Sequence, residues 1–295
     1  MVKLKDKIPW PIKIISKLIL ARIPVEYSLW KRIDLFRHGR MEDPQYAYNV
    51  FKTHFDRVDF AKKKKGFVAL ELGPGDSLSS GIIAKAFGAS KTYLVDVGAF
   101  AQNDLQSYNA IFSLLKKKRQ LTSPSFSKMT SIEDMLNVFG IHYETNGIES
   151  LRQIPDQSVD FIWSQAVLEH IKRDEFFDTL IELRRIITLD GACSHQIDLR
   201  DHLGGALNNL RFNENIWKSN FMVNSGFYTN RIRYGEMLLL FKKGGFEVEV
   251  VNLKAWKSLP TPKKNLAAPF KYLPDEDLCV SVFDVVLKPK RQNTD

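Results

Sequence analysis

The stretch Val68-Ala69-Leu70-Glu71-Leu72-Gly73-Pro74-Gly75-Asp76-Ser77 decides the reading of this sequence. Residues 67–72 are short, apolar and broken by one acid, as expected of a parallel strand buried on both faces. Two glycines follow, and then Ile82, Ile83, Ala86 and Phe87 predict a helix that Gly88 closes. Residues 92–97 predict a second strand, so 67–97 reads as one strand–helix–strand unit. Outward from it the alternation recurs. Strands are predicted over 159–163, 192–199, 246–251 and 279–287, with a turn at Asp190-Gly191. Helices are predicted after Asp174 as N-cap, and through Met237, Leu238 and Phe241 up to Gly244-Gly245. This alternation implies an α/β fold, a mostly parallel sheet with helices on both faces.

The loop at 73–77 stands where open α/β sheets bind ligands, outside the carboxyl ends of the strands. Asp96 ends the second strand, 21 residues past Gly75, a spacing at which a carboxylate accepts both ribose hydroxyls of an adenosine-type ligand. A dinucleotide site would receive a pyrophosphate in this loop. Glu71 stands two residues before the first glycine, and Leu78 replaces the third glycine of G-x-G-x-x-G. An acid beside the loop repels a diphosphate and suits a cationic ligand, such as S-adenosylmethionine with its ammonium and sulfonium groups.

The region from Gly66 to Leu287 resembles the class I, Rossmann-like S-adenosylmethionine-dependent methyltransferases. Four motifs carry the resemblance: V-A-L-E-L-G-P-G-D-S (68–77), Y-L-V-D-V-G (93–98), I-P-D-Q-S-V-D-F-I-W-S-Q-A-V-L-E-H-I (154–171) and L-R-R-I-I-T-L-D-G-A (183–192). The resemblance implies a seven-stranded sheet whose last strand is antiparallel. It implies cofactor contacts from Glu71, Gly73, Gly75, Asp76, Ser77, Asp96 and Val97. By the same analogy, Asn146 or its neighbours Gly147 and Ile148 flank the adenine, and Ser164 and Gln165 border the methionine end. Ser77 departs from the pattern by standing where many members carry a third glycine.

Transfer of a methyl group to a hydroxyl benefits from a general base with a pKa near the working pH, which suits histidine. His195-Gln196-Ile197-Asp198-Leu199-Arg200-Asp201-His202 places two histidines and two acids at the carboxyl end of a predicted strand. His195, Asp198 and His202 are therefore the catalytic candidates. Alternation sets His195 and Asp198 on opposite faces, so the chain must bend there or one of them is structural. His170 is a candidate substrate contact. Arg231 and Arg233 can clamp a carboxylate or phosphate through paired hydrogen bonds, or pair with Asp198, Asp201 or Glu236. No histidine or acid spacing matches a metal site.

Of the 295 residues, 44% are hydrophobic and 26% charged, which excludes a disordered or fibrous chain. Cys193 and Cys279 are too few for a disulfide framework or a cysteine-rich zinc site. The net charge of +9 attracts polyanions, nucleic acid among them, or merely solvates a basic surface. Aromatic residues do not interleave with the runs at 62–65 and 116–119. Ser164-Gln165-Ala166-Val167 stands where base-amino methyltransferases carry an Asn/Asp-Pro-Pro-Tyr-type motif. The expectation is therefore a cytoplasmic enzyme methylating a small or medium metabolite, anionic in one version, a saccharide or lipid-linked molecule in another. The alternatives are a nucleic-acid methyltransferase, and a non-catalytic protein that keeps the fold and docks on a membrane or a partner.

Residues 1–60 read as an N-terminal helical cap rich in aromatic residues, with His38 satisfied locally. Residues 61–290 form the methyltransferase-like domain, 201–230 a polar substrate-side loop, and 291–295 a tail; regular structure is not expected beyond Lys288. Residues 12–23 are cut by Lys13, Lys17 and Arg22 and are too short to span a bilayer. They predict an amphipathic helix with Ile12, Ile15 and Ile19 on one face. That face either packs on its own domain or lies peripherally on an anionic membrane.

Overall fold

The computed structural model describes residues 9–20, 40–58, 64–120 and 129–291. His38, Lys62, Lys63 and most of the tail lie outside the described residues. Seven strands form one sheet: β1 (Val68–Leu72), β2 (Lys91–Val95), β3 (Ile141–Glu144), β4 (Val159–Gln165), β5 (Ile187–Asp198), β6 (Phe246–Ala255) and β7 (Val280–Pro289). Their order is β3-β2-β1-β4-β5-β7-β6. Pairs from β3 to β5 are parallel, and β7 runs antiparallel between β5 and β6. Strand order reverses between β1 and β4, which opens a crevice at their carboxyl ends. The expected α/β architecture and the antiparallel last strand are both present.

Alternation along β1 explains why both faces are covered. Ala69 joins a core with α2 (Pro44–Asp56), α3 (Ser79–Ala86), α4 (Asn109–Lys117) and α5 (Ile132–Phe139). Leu70 and Leu72 join the opposite core with α6 (Ile148–Arg152), α7 (Arg173–Ile186) and α10 (Tyr234–Lys243). Phe51 of α2 is fully buried, with its ring centroid 6.0 Å from Phe161 and 5.9 Å from Trp163 of β4. Burying such a ring contributes about 1.5–3 kcal/mol. Helix α2 therefore shares the core of the sheet across the expected boundary at residue 60.

Several local expectations differ. Strand β5 begins at Ile187 and runs through Asp190-Gly191, where a turn was expected. A register shift between Val159 and Phe161 absorbs the irregularity, and a Cβ on Gly191 would lie 2.9 Å from the Asp160 carbonyl. Asp174 lies in the first turn of α7 behind Lys172, so it acts on the helix dipole rather than as the cap. Strand β7 extends through Lys288 to Pro289. Strand β3 carried no periodic signal, because three of its four residues are partly or fully exposed.

The segment 201–230 is not a polar loop. It contains α8 (Glu214–Trp217) and α9 (Asn220–Val223), and buries Leu203, Trp217, Met222 and Phe227 in a separate small core. Helix α1 (Trp10–Leu20) completes that core with Ile14 and Leu18. The predicted apolar face, Ile12, Ile15 and Ile19, is the one that faces outward.

Candidate active site

The carboxyl ends of β1, β2 and β3 converge on the glycine loop through backbone groups. Gly73 N–H donates to the Val95 carbonyl at 2.8 Å, and Gly147 N–H donates to the Asp96 carbonyl at 2.8 Å. Gly73 and Gly75 have φ of +68° and +63°, which glycine adopts without a Cβ penalty. A Cβ on Gly73 would stand 2.6 Å from the Val167 side chain, so the loop after β4 closes on this glycine directly. Asp96 Oδ2 accepts from Gly75 N–H at 3.0 Å, and Oδ1 accepts from Val97 N–H at 2.7 Å. Exposed Val97 and exposed Asn146 form the outer rim beside Gly147. Asp76 and Ser77 are buried inside the loop, where Ser77 and Ser79 share a hydroxyl–hydroxyl bond of 2.8 Å. The Tyr143 hydroxyl accepts from Phe100 and Ala101 N–H at 3.0 and 3.2 Å and donates to the Gly98 carbonyl, which fixes the next stretch of the rim.

Glu71 is not the exposed anion that its position in the sequence suggested. Alternation along β1 turns it toward α3, where it is 1% exposed and accepts a hydrogen bond from the Ser80 hydroxyl. Burial pushes its pKa up to about 8, with a smaller contribution from the Asp96 charge, so the carboxyl is largely protonated at neutral pH. Asp96 is the carboxylate that faces the loop instead. Gly75 N–H, a group that would receive a phosphate, is already held by that carboxylate.

At the ends of β4 and β5 the outcome is more divided. Ser164 and His195 are fully buried, with Ser164 Oγ 2.7 Å from His195 Nδ1. Burial, and then the neighbouring His54, push the His195 pKa down to about 3. A neutral imidazole enclosed in the sheet faces no substrate, which corrects the expectation that His195 is a base and that Ser164 borders the cofactor. Gln165 remains at the crevice, half-buried. Its carbonyl oxygen accepts from His54 Nε2–H at 3.0 Å, and His54 Nδ1 lies 2.8 Å from Ser194 Oγ. Burial lowers the His54 pKa to about 4, so this bridge from α2 is neutral.

His170 and His202, separated by 32 positions in the chain, come together at the surface. Their rings stack with centroids 4.8 Å apart and planes 15° apart, and the two Nε2 atoms are 3.1 Å apart. His170 Nδ1 donates to the Tyr228 carbonyl at 2.8 Å. In the neutral pair, His170 Nε2 therefore accepts and His202 Nε2–H donates. Asp198 lies at the end of β5, with its carboxylate held in a fork by Arg200, one arm at 2.8 Å and the other at 2.6 Å. Beneath this cluster is Glu169, 1% exposed, whose Oε1 accepts from Asp198 N–H at 3.1 Å while Oε2 has no hydrogen-bond partner. Burial pushes the Glu169 pKa up to about 8.

Arg231 and Arg233 do not reach toward a substrate. Arg231 is 4% exposed, ion-paired with Glu214 and bonded to the Phe212 carbonyl at 2.6 Å. Arg233 is 2% exposed and donates to the carbonyls of Leu199, Leu278 and Val280. Arg231 ties the 201–233 segment together from within, and Arg233 holds it to Leu199 and to Val280 of β7. Among the described residues, no group of three or more histidines, cysteines and acids could hold a metal ion.

Sequence reasoning missed Val167, His54 and Glu169. Val167 and Glu169 follow Ala166, whose φ of +55° ends the strand alternation from which their directions would be read. His54 meets Gln165 across 111 positions of chain and carries no local signal.

Residues 116–194 match a family model described as a methyltransferase domain. No curated protein sequence matches the chain. Similar solved structures include the YcgJ protein of Bacillus subtilis, at 12% identity and TM-score 0.46, with 83% of this chain and 100% of that one covered. A phosphoethanolamine N-methyltransferase of Haemonchus contortus, solved with phosphomonomethylethanolamine and S-adenosylhomocysteine, is 14% identical at TM-score 0.45; 83% of this chain and 53% of that one are covered. An S-adenosylmethionine-dependent methyltransferase described as putative, from Listeria monocytogenes, is 14% identical at TM-score 0.44, covering 83% and 98%.

Proposed function

We propose that the chain, whose residues 116–194 match a methyltransferase-domain model, is a class I, S-adenosylmethionine-dependent methyltransferase that methylates an oxygen of a small or medium metabolite. A saccharide or lipid-linked acceptor suits the polar surroundings of the site. The observation that carries the reading is the His170–His202 pair at the carboxyl ends of β4 and β5, on the acceptor side of the glycine loop. S-adenosylmethionine, when bound, supplies the electrophilic methyl group.

Gly73 and Gly75 let the backbone approach that cofactor closely, and Asp96 accepts from its ribose hydroxyls. Val97, Asn146 and Gly147 line the adenine side, and Gln165 lies toward the methionine end. Asp76 and Ser77 act from inside the loop by fixing its shape. The histidine pair takes the acceptor hydroxyl's proton as the new O–CH₃ bond forms and the S–CH₃ bond breaks. A stacked neutral pair is suited to this: His202 Nδ1 takes the proton, and the charge gained there is shared with His170 through the Nε2–H···Nε2 bond. Asp198 and the Glu169 contact beneath it hold the end of β5 in register with the pair.

The test is calorimetry with S-adenosylhomocysteine on the native protein and on Asp96→Ala, followed by transfer of labelled methyl groups to saccharide and carboxylate acceptors. The native protein should release heat of binding, and Asp96→Ala should bind roughly tenfold more weakly, the equivalent of about 1.4 kcal/mol. Absence of heat from the native protein defeats the cofactor assignment; label appearing on nitrogen or carbon rather than oxygen defeats the acceptor assignment.

A further inference from the structure

Helix α1 has two apolar sides, and only one is used by the fold. Ile14 and Leu18, 5% and 9% exposed, seat it on Leu203, Trp217, Met222 and Phe227. Ile12, Ile15 and Ile19 follow one another at helical spacing on another side and are 53%, 58% and 59% exposed. The short helices α8 and α9, whose Trp217 and Met222 support α1, also expose Ile216 and Phe221, at 48% and 50%. Three isoleucines in a row on one water-facing side of a helix mark a site that another phase or partner covers.

The charge of the same segment selects the occupant. Residues 1–24 contain Lys3, Lys5, Lys7, Lys13, Lys17 and Arg22 against the single acid Asp6. A helix with an exposed apolar face in a strongly basic segment matches an anionic bilayer, where isoleucines enter the acyl boundary and cations meet lipid phosphates. A second copy of this chain fits less well, since pairing through α1 would bring two basic segments together. No helix among the described residues is long and apolar enough to cross a membrane, so contact is with one leaflet.

We propose that the exposed isoleucine side of α1 is a docking surface for an anionic lipid bilayer. The surface is separate from the glycine loop, and the proposal holds whether or not the methyl-transfer reading does.

The experiment is flotation of the full chain with phosphatidylcholine vesicles, with and without phosphatidylglycerol. The native protein should float with the anionic vesicles and roughly tenfold less with the neutral ones, and salt should release it. The double variant Ile15→Glu, Ile19→Glu should lose flotation by a similar factor while its melting temperature and its heat with S-adenosylhomocysteine stay native. The variant Lys13→Glu, Lys17→Glu leaves every isoleucine in place and should weaken flotation at low salt, which keeps the test informative if the first variant folds poorly. The proposal is overturned by any of three results: no flotation with anionic vesicles, native flotation of both variants, or a native dimer that the isoleucine variant converts to a monomer.

Discussion

The two ends of the crevice are built differently. At the end proposed for the cofactor, Gly73 and Gly147 are joined to Val95 and Asp96 through main-chain groups, and Gly75 N–H to the Asp96 carboxylate, at the tips of adjacent strands. At the end proposed for the acceptor, the His170 side chain meets that of His202 and the Glu169 side chain meets Asp198 N–H, while Arg231 ties the neighbouring 201–233 segment to itself and Arg233 ties it to Leu199 and Val280. The first end is a property of backbone geometry and tolerates few substitutions. The second is an assembly of long-range contacts in which chemistry and support are carried by different residues. The comparison teaches that cofactor binding and acceptor chemistry should be separable by mutation.

The largest separation should come from His202→Ala. It removes one ring of the pair at the surface, so turnover should fall roughly 10²–10⁴-fold, the usual span for losing a general base, while heat with S-adenosylhomocysteine stays native. Equal loss of both would mean that the two ends act as one unit. Gly73→Ala should do the reverse at the other end. A residue with φ of +68° whose Cβ meets Val167 at 2.6 Å should lose about 2–4 kcal/mol of stability and most cofactor binding. Pairing it with Val167→Ala should recover the clash but not the strain, as read by thermal melting.

Arg233→Leu tests the support. It leaves the Leu199, Leu278 and Val280 carbonyls without their donor, and should cost about 2 kcal/mol in denaturant unfolding without changing cofactor affinity. The smallest effect, per unit of pH, is at Glu71. Its folded pKa of about 8 lies above the model-compound value of 4.5, so the folded state keeps a proton that the unfolded chain releases between those limits. That contribution to stability is fully present below about pH 4.5 and is lost progressively as pH rises toward 8, by up to about 1.4 kcal/mol per unit. Glu71→Gln should flatten that slope in unfolding measured from pH 5 to pH 8. An unchanged slope would mean that the carboxyl is ionised in the fold.

The sequence exposed the cofactor end because its signals are local. A strand, two glycines and an acid 21 residues later lie within one strand–helix–strand unit, and backbone requirements leave their mark on residue type. The same sequence misled at Glu71, since the charge of a residue is visible in a sequence and its burial is not. Arg231 and Arg233 misled for a related reason: a guanidinium group suits a substrate carboxylate and a set of buried carbonyls equally well. His170 and His202 were both singled out, but nothing in the 31 intervening residues announced that their rings stack.

By itself, then, the sequence determined the alternating α/β order and the place of the glycine loop and Asp96. These follow from hydrophobic period and from backbone conformations that few residue types allow. Only the tertiary structure decided which histidines face outward, that Glu71 is neutral and enclosed, that 201–230 is a packed core, and which side of α1 meets water. Those outcomes depend on contacts between distant parts of the chain, and burial and proximity arise only when the layers close.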